Sequence, residues 1–144
     1  EEALKYIPGD IDVLISSPLK RALQTAEIIN KKLNRTIETN DDVKELRFGE
    51  LAGKPWPEIA AVTGNNDIRQ KHKAAMFDYR KYDGEAVEDL HRRVEKFIAD
   101  MKVKYSDKTI LVVTHGGIIR SMHRLFKQKE QLEIGNATLH EFDF

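Results

Sequence analysis

Short apolar runs alternate with longer amphipathic stretches along this chain. Residues 11–15 (Ile-Asp-Val-Leu-Ile) and 109–113 (Thr-Ile-Leu-Val-Val) are short, rich in β-branched side chains and preceded by turn residues, which predicts two buried strands. Residues 36–39 predict a further short strand, and residues 137–144 alternate in the manner of a strand with one more exposed side.

Helical periodicity follows the two apolar runs. After Pro18, apolar side chains recur at helical spacing as far as Leu33, with Ser17 as the expected N-cap and Pro18 as the expected first helical residue. A second apolar stripe predicts a helix over residues 87–104. The glycine pair at 116–117 is expected to open a further helix over residues 118–126.

Three segments have weaker patterns. Residues 40–57 are rich in turn residues and predict an ordered loop or a very short one-turn element. Residues 58–82 are weakly helical and polar, and they predict an insertion that lies over the end of the sheet. Residues 1–7 read as the end of an amphipathic helix without a starting cap, so we expect further chain before them.

The order of these elements predicts a fold class. Helices alternate with strands along the chain, and the two apolar runs suit strands that are covered on both faces. We therefore expect an α/β protein, a three-layer α/β/α sandwich with a mostly parallel sheet, and one domain over residues 1–144.

Composition narrows the function classes. The 144 residues are 40% hydrophobic and 33% charged, as in an ordinary globular domain. Cysteine is absent and the formal net charge is zero, which argues against a thiolate metal site and against generic binding to nucleic acid or anionic membranes. No apolar stretch approaches the roughly 20 residues of a membrane span, so we expect no membrane partner and a cytoplasmic location.

Candidate chemistry lies where the two apolar runs give way to helices. Residues 16–21 include Arg21, whose guanidinium suits phosphate. Residues 114–117 place His115 before Gly116 and a second glycine, where free backbone N–H groups favour an anion. By position alone, a solvated helix face is the favoured interpretation of Arg21, and His115 is equally compatible with a structural hydrogen bond.

Together with three further segments, these junctions resemble the histidine phosphatase superfamily, the phosphoglycerate mutase-like proteins. Residues 16–26 are similar to the family's second signature, and residues 45–53 to its acid-bearing loop. Residues 84–90 resemble its Gly-Glu-Ser segment, although Ala86 replaces the serine. Residues 113–117 and 136–140 resemble its C-terminal histidine motif and its closing strand.

The resemblance implies a role for each site residue. Arg21 is implied to hold the phosphoryl group, together with the backbone N–H of Gly116. His115 is implied to stabilise the transferring phosphate, and Glu45 to donate a proton to the leaving oxygen. The implied substrate is a small phosphorylated metabolite. The resemblance calls for no cofactor, and no cluster of potential ligands has the spacing typical of a metal site.

The nucleophile is the main departure from the family. Its early strand ends in Arg-His-Gly, whose histidine becomes phosphohistidine, and this segment does not occur in the sequence. His72, His91, His123 and His140 lack both the strand context and a following glycine. We expect an upstream segment to supply the nucleophile. The alternative is a non-catalytic module that binds phosphate.

Phosphatase chemistry is favoured over mutase chemistry. The family's glycolytic mutases have Arg-His-Tyr-Gly where residues 46–49 read Leu-Arg-Phe-Gly, and the stretch before Gly84 is short for a mutase insertion. Mutase-type transfer remains the alternative. Basic residues of the 58–82 segment are interpreted as a solvated helix face, although they would also suit a second anionic group on the substrate: Arg69, Lys71, Lys73 and Arg80.

Overall fold

The computed structural model describes residues 2–129 and 133–144, and this part of the chain folds into three strands and five helices. The strands are β1 (Val13–Ser16), β2 (Ile37–Thr39) and β3 (Ile110–Val113). The helices are α1 (Lys20–Leu33), α2 (Trp56–Thr63), α3 (Ile68–Lys73), α4 (Val87–Lys104) and α5 (Gly116–Leu125). Short 3₁₀ turns occupy Glu2–Tyr6, Asp41–Val43, Gly49–Leu51 and Arg80–Tyr82.

The sheet is parallel, with the order β2-β1-β3. Leu14 of the central strand lies opposite Ile37 of β2 and Leu111 of β3. Parallel neighbours require crossover connections, and helices supply them in this chain. The predicted strands at residues 11–15, 36–39 and 109–113 are therefore confirmed to within two residues.

The two faces of the sheet pack against different helices. Leu14 belongs to a core with Ala22 and Ala26 of α1, whereas Ile15 points into a larger core that includes residues of α4 and α5. Adjacent residues of a strand face opposite sides, so this division follows from the pleat. Helices on both faces of a parallel sheet give the predicted three-layer architecture.

Helix α4 is the best example of agreement between pattern and structure. It spans Val87–Lys104 as predicted, and its apolar stripe is buried. Asp89 in its first turn accepts the backbone N–H of Ala86 over 3.0 Å. This contact caps the helix from within the first turn, where the side chain of Ala86 offers no acceptor.

The start of α1 differs from expectation by two residues. The helix begins at Lys20 with Leu19 in the N-cap position, not at Pro18 with Ser17 as the cap. The Oγ of Ser17 still accepts the backbone N–H of Leu19 over 3.3 Å. Ser17 thus closes the turn that leads into the helix, and its hydroxyl remains near the end of β3.

The prediction of a strand over residues 137–144 is wrong, because this segment contains no strand. Its residues are instead fixed by side chains: His140 contacts His123, and Phe142 and Phe144 pack against Phe126. A strand needs a hydrogen-bonded neighbour, and a groove separates this segment from β3.

Residues 58–82 are more regular than expected, since they contain α3 and most of α2, which begins at Trp56. His72 of α3 is buried among aromatic rings of Phe48, Trp56, Phe77 and Tyr79. The insertion is therefore packed into the larger core. Within the described residues, no helix is both long and apolar enough to cross a membrane.

Candidate active site

The carboxyl ends of β1 and β3 meet at one edge of the sheet, where hydrogen bonds join the residues that follow them. Ser17 donates its backbone N–H to the carbonyl of Val113 over 2.9 Å. His115, which precedes α5, places its Nε2 2.8 Å from the Oγ of Ser17. Both side chains are buried. Ser17 therefore fixes the rotation of the imidazole, a role that the sequence analysis did not assign to it.

His115 is neutral in this environment. Burial, followed by the positive charges of Arg21 and Arg93, lowers the pKa of its imidazole from 6.5 to about 4. Desolvation and nearby cations both disfavour an imidazolium. The same cations would attract an anion, so the surroundings of His115 suit an anionic ligand better than a proton.

Glu45 reaches the same edge of the sheet from the loop between β2 and α2. Its Oε1 accepts the backbone N–H of Leu46 over 2.9 Å, and its Oε2 lies 3.5 Å from the backbone nitrogen of Gly117. The carboxyl group thus lies against the first turn of α5, one of whose N–H groups points at it. This placement brings Glu45 close to the helix start that follows His115.

The two glycines of α5 leave room for this approach. A Cβ on Gly117 would lie 2.4 Å from the Oε1 of Glu45, so any larger residue would displace the carboxyl group. A Cβ on Gly116 would lie 3.3 Å from the Nη1 of Arg120. The absence of a side chain at Gly117 therefore leaves room for the carboxyl group of Glu45. From the sequence, this glycine pair was expected only to favour an anion.

Arg21 lies in the first turn of α1 and is exposed. Its guanidinium makes no hydrogen bond or ion pair within residues 2–129 and 133–144. It is still close enough to His115 to lower the pKa of the imidazole. The N–H donors of Arg21 therefore lie near His115 and make no hydrogen bond to the described residues.

A buried ion pair positions the loop that carries Glu45. Arg93 of α4 contacts both carboxylate oxygens of Glu85, at 2.9 and 3.0 Å, and both side chains are largely buried. The same guanidinium donates to the backbone carbonyls of Asp42 and Lys44, each over 2.7 Å, and to that of Glu45 over 3.3 Å. Arg93 thus ties the loop to α4.

Glu85 stays ionised in this cluster. Burial opposes its ionisation, but hydrogen bonds from Arg93 and from the backbone N–H of Arg47 outweigh that effect and lower its pKa. Glu85 lies in a segment that resembles the family but had no role predicted from the sequence, and Arg93 was not predicted at all. A glutamate just before a helix, eight residues from an arginine within it, was the available signal.

The remaining histidines have different contacts from His115, although His140 borders the same groove. His72 is enclosed by aromatic rings, and His123 contacts His140 over 3.0 Å. The imidazole of His91 is half-buried on α4, where burial and then the charge of Arg124 lower its pKa. We expect none of these four to reach a ligand beside His115.

One groove brings the predicted site residues together. It has a volume of about 1360 Å³, and Arg21, Glu45, His115 and Gly116 all line it. It continues along β3 and under residues 134–144. β3 pairs with β1 alone among the described strands, so its other edge faces this groove. Within the described residues, no group of three or more potential ligands is arranged around a metal position.

Comparisons with known proteins point to one family. The sequence profile of the "Histidine phosphatase superfamily (branch 1)" matches residues 1–144. An uncharacterized phosphatase PhoE of Bacillus subtilis is 32% identical over 111 residues, covering 77% of this chain and 51% of that protein. Phosphoglycerate mutase-like protein 4 of Arabidopsis thaliana is 30% identical over 118 residues, covering 78% and 49%.

A solved structure shares the fold. A mycobacterial glucosyl-3-phosphoglycerate phosphatase in complex with inorganic phosphate superimposes with a TM-score of 0.72 at 21% identity, covering 90% of this chain and 64% of that one. The chain therefore spans about half the length of the curated relatives that it matches.

Proposed function

The chain belongs to the histidine phosphatase superfamily, branch 1, and from this premise we propose that its protein hydrolyses small phosphomonoesters through a phosphohistidine intermediate. The observation that carries the proposal is the convergence of Arg21, Glu45 and His115 on one groove at the carboxyl ends of β1 and β3. Phosphoryl transfer depends chiefly on positioning and charge stabilisation, which these three groups and a helix N-terminus supply.

In this proposal the phosphate binds before the first turn of α5. Arg21 donates two N–H groups to its nonbridging oxygens, and Gly116 adds a backbone N–H. A phosphate dianion raises the pKa of an adjacent imidazole, because opposite charges favour each other's ionised forms. His115, neutral without a ligand, then becomes a charged donor that stabilises the negative charge of the transition state.

Two displacements follow, and Glu45 serves both. In the first, a histidine nitrogen attacks phosphorus and the bond between phosphorus and the ester oxygen breaks, while Glu45 gives its proton to the departing alcohol. In the second, water attacks the phosphohistidine, Glu45 takes the proton from that water, and the bond between phosphorus and nitrogen breaks. Splitting the reaction in this way replaces one difficult step with two easier ones.

We propose that the attacking histidine lies outside these 144 residues, in an upstream segment of the same domain that occupies the groove beside β3. Two observations support this. The open edge of β3 offers backbone groups to a further strand. Of the described histidines, His115 and His140 line the groove, and the Nδ1 of His140 lies 3.0 Å from the Nε2 of His123. His115 contacts Ser17 and so serves as the supporting histidine.

Two other functions fit the same groove. The Arabidopsis relative is named as mutase-like, and a mutase would pass the phosphoryl group to a second hydroxyl instead of water. A non-catalytic module would bind phosphate without turnover. Both differ from a phosphatase in their products, so one assay separates them.

The experiment uses the full-length protein. It is mixed with a phosphomonoester such as phenyl phosphate, quenched in alkali, and analysed for acid-labile phosphohistidine and for free phosphate. We expect both. Phosphohistidine with transfer to an added alcohol, but without free phosphate, would indicate a mutase. Phosphate binding without either product would contradict the proposal and indicate a binding module.

The acid role of Glu45 has a separate test. Glu45→Gln should slow hydrolysis of an alkyl phosphate by about 100-fold, which is typical of a lost general acid. It should have a much smaller effect on formation of phosphohistidine from nitrophenyl phosphate, whose leaving group needs little protonation. Equal losses in this first step for the two esters would show that Glu45 is not the proton donor.

A further inference from the structure

Thr114 lies between the end of β3 and His115, and the mechanism above does not use it. Its hydroxyl donates to the backbone carbonyl of Val43 over 2.8 Å. This carbonyl accepts no other hydrogen bond from the described residues, and Val43 itself is buried. The contact spans 71 positions of the sequence. It therefore joins the strand end beside His115 to the loop that carries Glu45.

Thr114 completes the set of side chains that hold this loop. Arg93 of α4 binds three of its backbone carbonyls, those of residues 42, 44 and 45. The carbonyl that Arg93 does not bind belongs to Val43, and Thr114 binds it. Four consecutive carbonyls are thus held by side chains, three from α4 and one from the end of β3. Because β3 leads directly into His115, the contact of Thr114 positions the loop relative to the proposed phosphate site.

A second contact joins the same two segments, but it is weaker. The Oε2 of Glu45 lies 3.5 Å from the backbone nitrogen of Gly117, which is beyond the usual length of an N–H···O hydrogen bond. The bond between Thr114 and Val43, at 2.8 Å, has the usual length for a hydroxyl donor. Thr114 therefore provides the stronger connection between residues 114–117 and the loop.

We propose that Thr114 is a positioning residue, whose hydrogen bond to Val43 sets the distance between Glu45 and a phosphate held beside His115. The inference rests on the proposed function. A general acid must reach one particular oxygen, and a displacement of about 1 Å can cost about 100-fold in rate. Since Arg93 still holds the loop when Thr114 is changed, we expect a smaller loss, of about 10-fold.

The test removes the hydroxyl and keeps the shape of the side chain. In full-length Thr114→Val, single-turnover formation of phosphohistidine is measured with an alkyl phosphate and with nitrophenyl phosphate. The maximal rate with the alkyl ester should fall by about 10-fold, because its leaving oxygen needs the proton of Glu45. With nitrophenyl phosphate it should fall by less than about 3-fold. The ester concentration at half-maximal rate should change by less than about 3-fold for both.

Three further variants define what is lost. Thr114→Ser restores the hydroxyl and should recover most of the rate, and a serine variant as slow as the valine variant would contradict the proposal. Thr114→Ala replaces the valine variant if that does not fold. Thr63→Val is the matched control, because the hydroxyl of Thr63 also donates to a backbone carbonyl, that of Ile59, but within α2. It should change the rate with neither ester.

A double variant shows whether Thr114 acts through Glu45. In Glu45→Gln, the proton that Thr114 is proposed to position is already missing. Adding Thr114→Val should therefore slow the alkyl ester by less than about 2-fold further. Losses that multiply would overturn the inference, because Thr114 would then act through His115 or through the fold.

The remaining outcomes are distinct. Equal losses with the two esters, or an unchanged rate with the alkyl ester, would overturn the inference. A rise in the half-saturating concentration alone would also overturn it, because Thr114 would then bind the substrate.

If the wild type forms no phosphohistidine, the proposed function fails instead, and amide hydrogen exchange of residues 41–47 tests the contact separately. Thr114→Val should speed this exchange by at least about 5-fold, because a loop with one support fewer opens more often. Thr63→Val should leave it unchanged. Exchange in Thr114→Val as slow as in the wild type would show that Thr114 does not hold the loop.

Discussion

Glu45 and Arg21 face the same groove, but the protein fixes them to very different degrees. Glu45 is held by two backbone N–H groups, and its loop is tied to α4 through the buried pair of Arg93 and Glu85. Arg21 is exposed on α1 and makes no ion pair or hydrogen bond with the described residues. The candidate acid, Glu45, is therefore positioned before any ligand binds. Arg21, the candidate group for binding phosphate, keeps its N–H donors free of contacts with the described residues.

This difference has a physical reason. A general acid must be placed within hydrogen-bond reach of one particular oxygen, so its loop benefits from rigid support. An arginine that grips a charged phosphate gains its geometry from the ligand, because the bidentate contact orients the fork. Removal of Arg21 should therefore lower activity without lowering stability, whereas removal of Arg93, which supports the loop of Glu45, should lower stability.

Arg21→Ala should have the largest effect, and on activity alone. In the full-length protein we expect kcat/KM for a phosphomonoester to fall by about 100- to 1000-fold, as for a lost charge-stabilising donor. The free energy of unfolding in urea should change by less than about 0.5 kcal/mol, because Arg21 has no contact of this kind to lose. A large loss of stability would show that Arg21 supports the fold, and would contradict the contrast drawn between Arg21 and Glu45.

Arg93→Ala should have the next largest effect, mainly on stability. Removing one partner of a buried ion pair leaves a buried charge, and we expect the free energy of unfolding to fall by about 2 to 4 kcal/mol, somewhat below the fully buried case. Urea denaturation measures this loss. Arg92→Ala, the exposed neighbour, is the control and should cost less than about 0.5 kcal/mol. Similar losses of stability for the two variants would show that the contacts of Arg93 do not hold the loop of Glu45 in place.

Gly117→Ala should disturb Glu45 without removing any functional group. The added methyl group would lie 2.4 Å from the Oε1 of Glu45, so the carboxyl group must shift. A displacement of about 1 Å in a catalytic group can cost about 100-fold, and we expect a loss of kcat that approaches this value. Gly9→Ala, whose Cβ has no neighbour within 4 Å, is the control. An unaffected kcat in Gly117→Ala would show that the position of Glu45 is not critical.

The smallest effect concerns pH and His115. Its pKa is about 4 in the fold and 6.5 without the surrounding protein, so the unfolded chain binds more protons between these values. Stability contributed by neutral His115 is present above pH 6.5 and is lost as the pH falls towards 4. Between pH 7 and 5 this loss amounts to about 1 to 2 kcal/mol.

His115→Gln should remove that part of the loss. Urea denaturation at pH 7 and pH 5 should show a smaller difference for the variant than for the wild type. Some difference remains, because the pKa of His72 is also lowered to about 4. An unchanged difference would show that His115 is not buried in its neutral form.

Local pattern was sufficient for most of the secondary structure. The stripe over residues 87–104 gave the bounds of α4, and the apolar run before His115 gave β3 within one residue. These predictions succeed because a helix or a covered strand repeats its contacts along its own length. The failed strand over residues 137–144 shows the limit, because alternation does not provide the partner that a strand requires.

The candidate site divides in the same way. Arg21, Glu45, His115 and Gly116 were predicted from motifs, and the structure brings all four to one groove; their chemical roles remain predictions. Ser17, Arg93 and Glu85 were missed as partners of the site. Their contacts join residues far apart in sequence: 98 positions separate Ser17 from His115, and 48 separate Arg93 from Glu45.

The sequence by itself determined the α/β class, the parallel strands and the residues whose chemistry suits a phosphate. Tertiary structure alone decided which groups support them: the serine that orients His115 and the ion pair that positions the loop of Glu45. The reason is that periodicity and motifs reflect the local conformation and burial of a segment. A supporting contact between distant segments instead depends on the distance between elements after they pack. That distance arises only when the sheet and its helices come together.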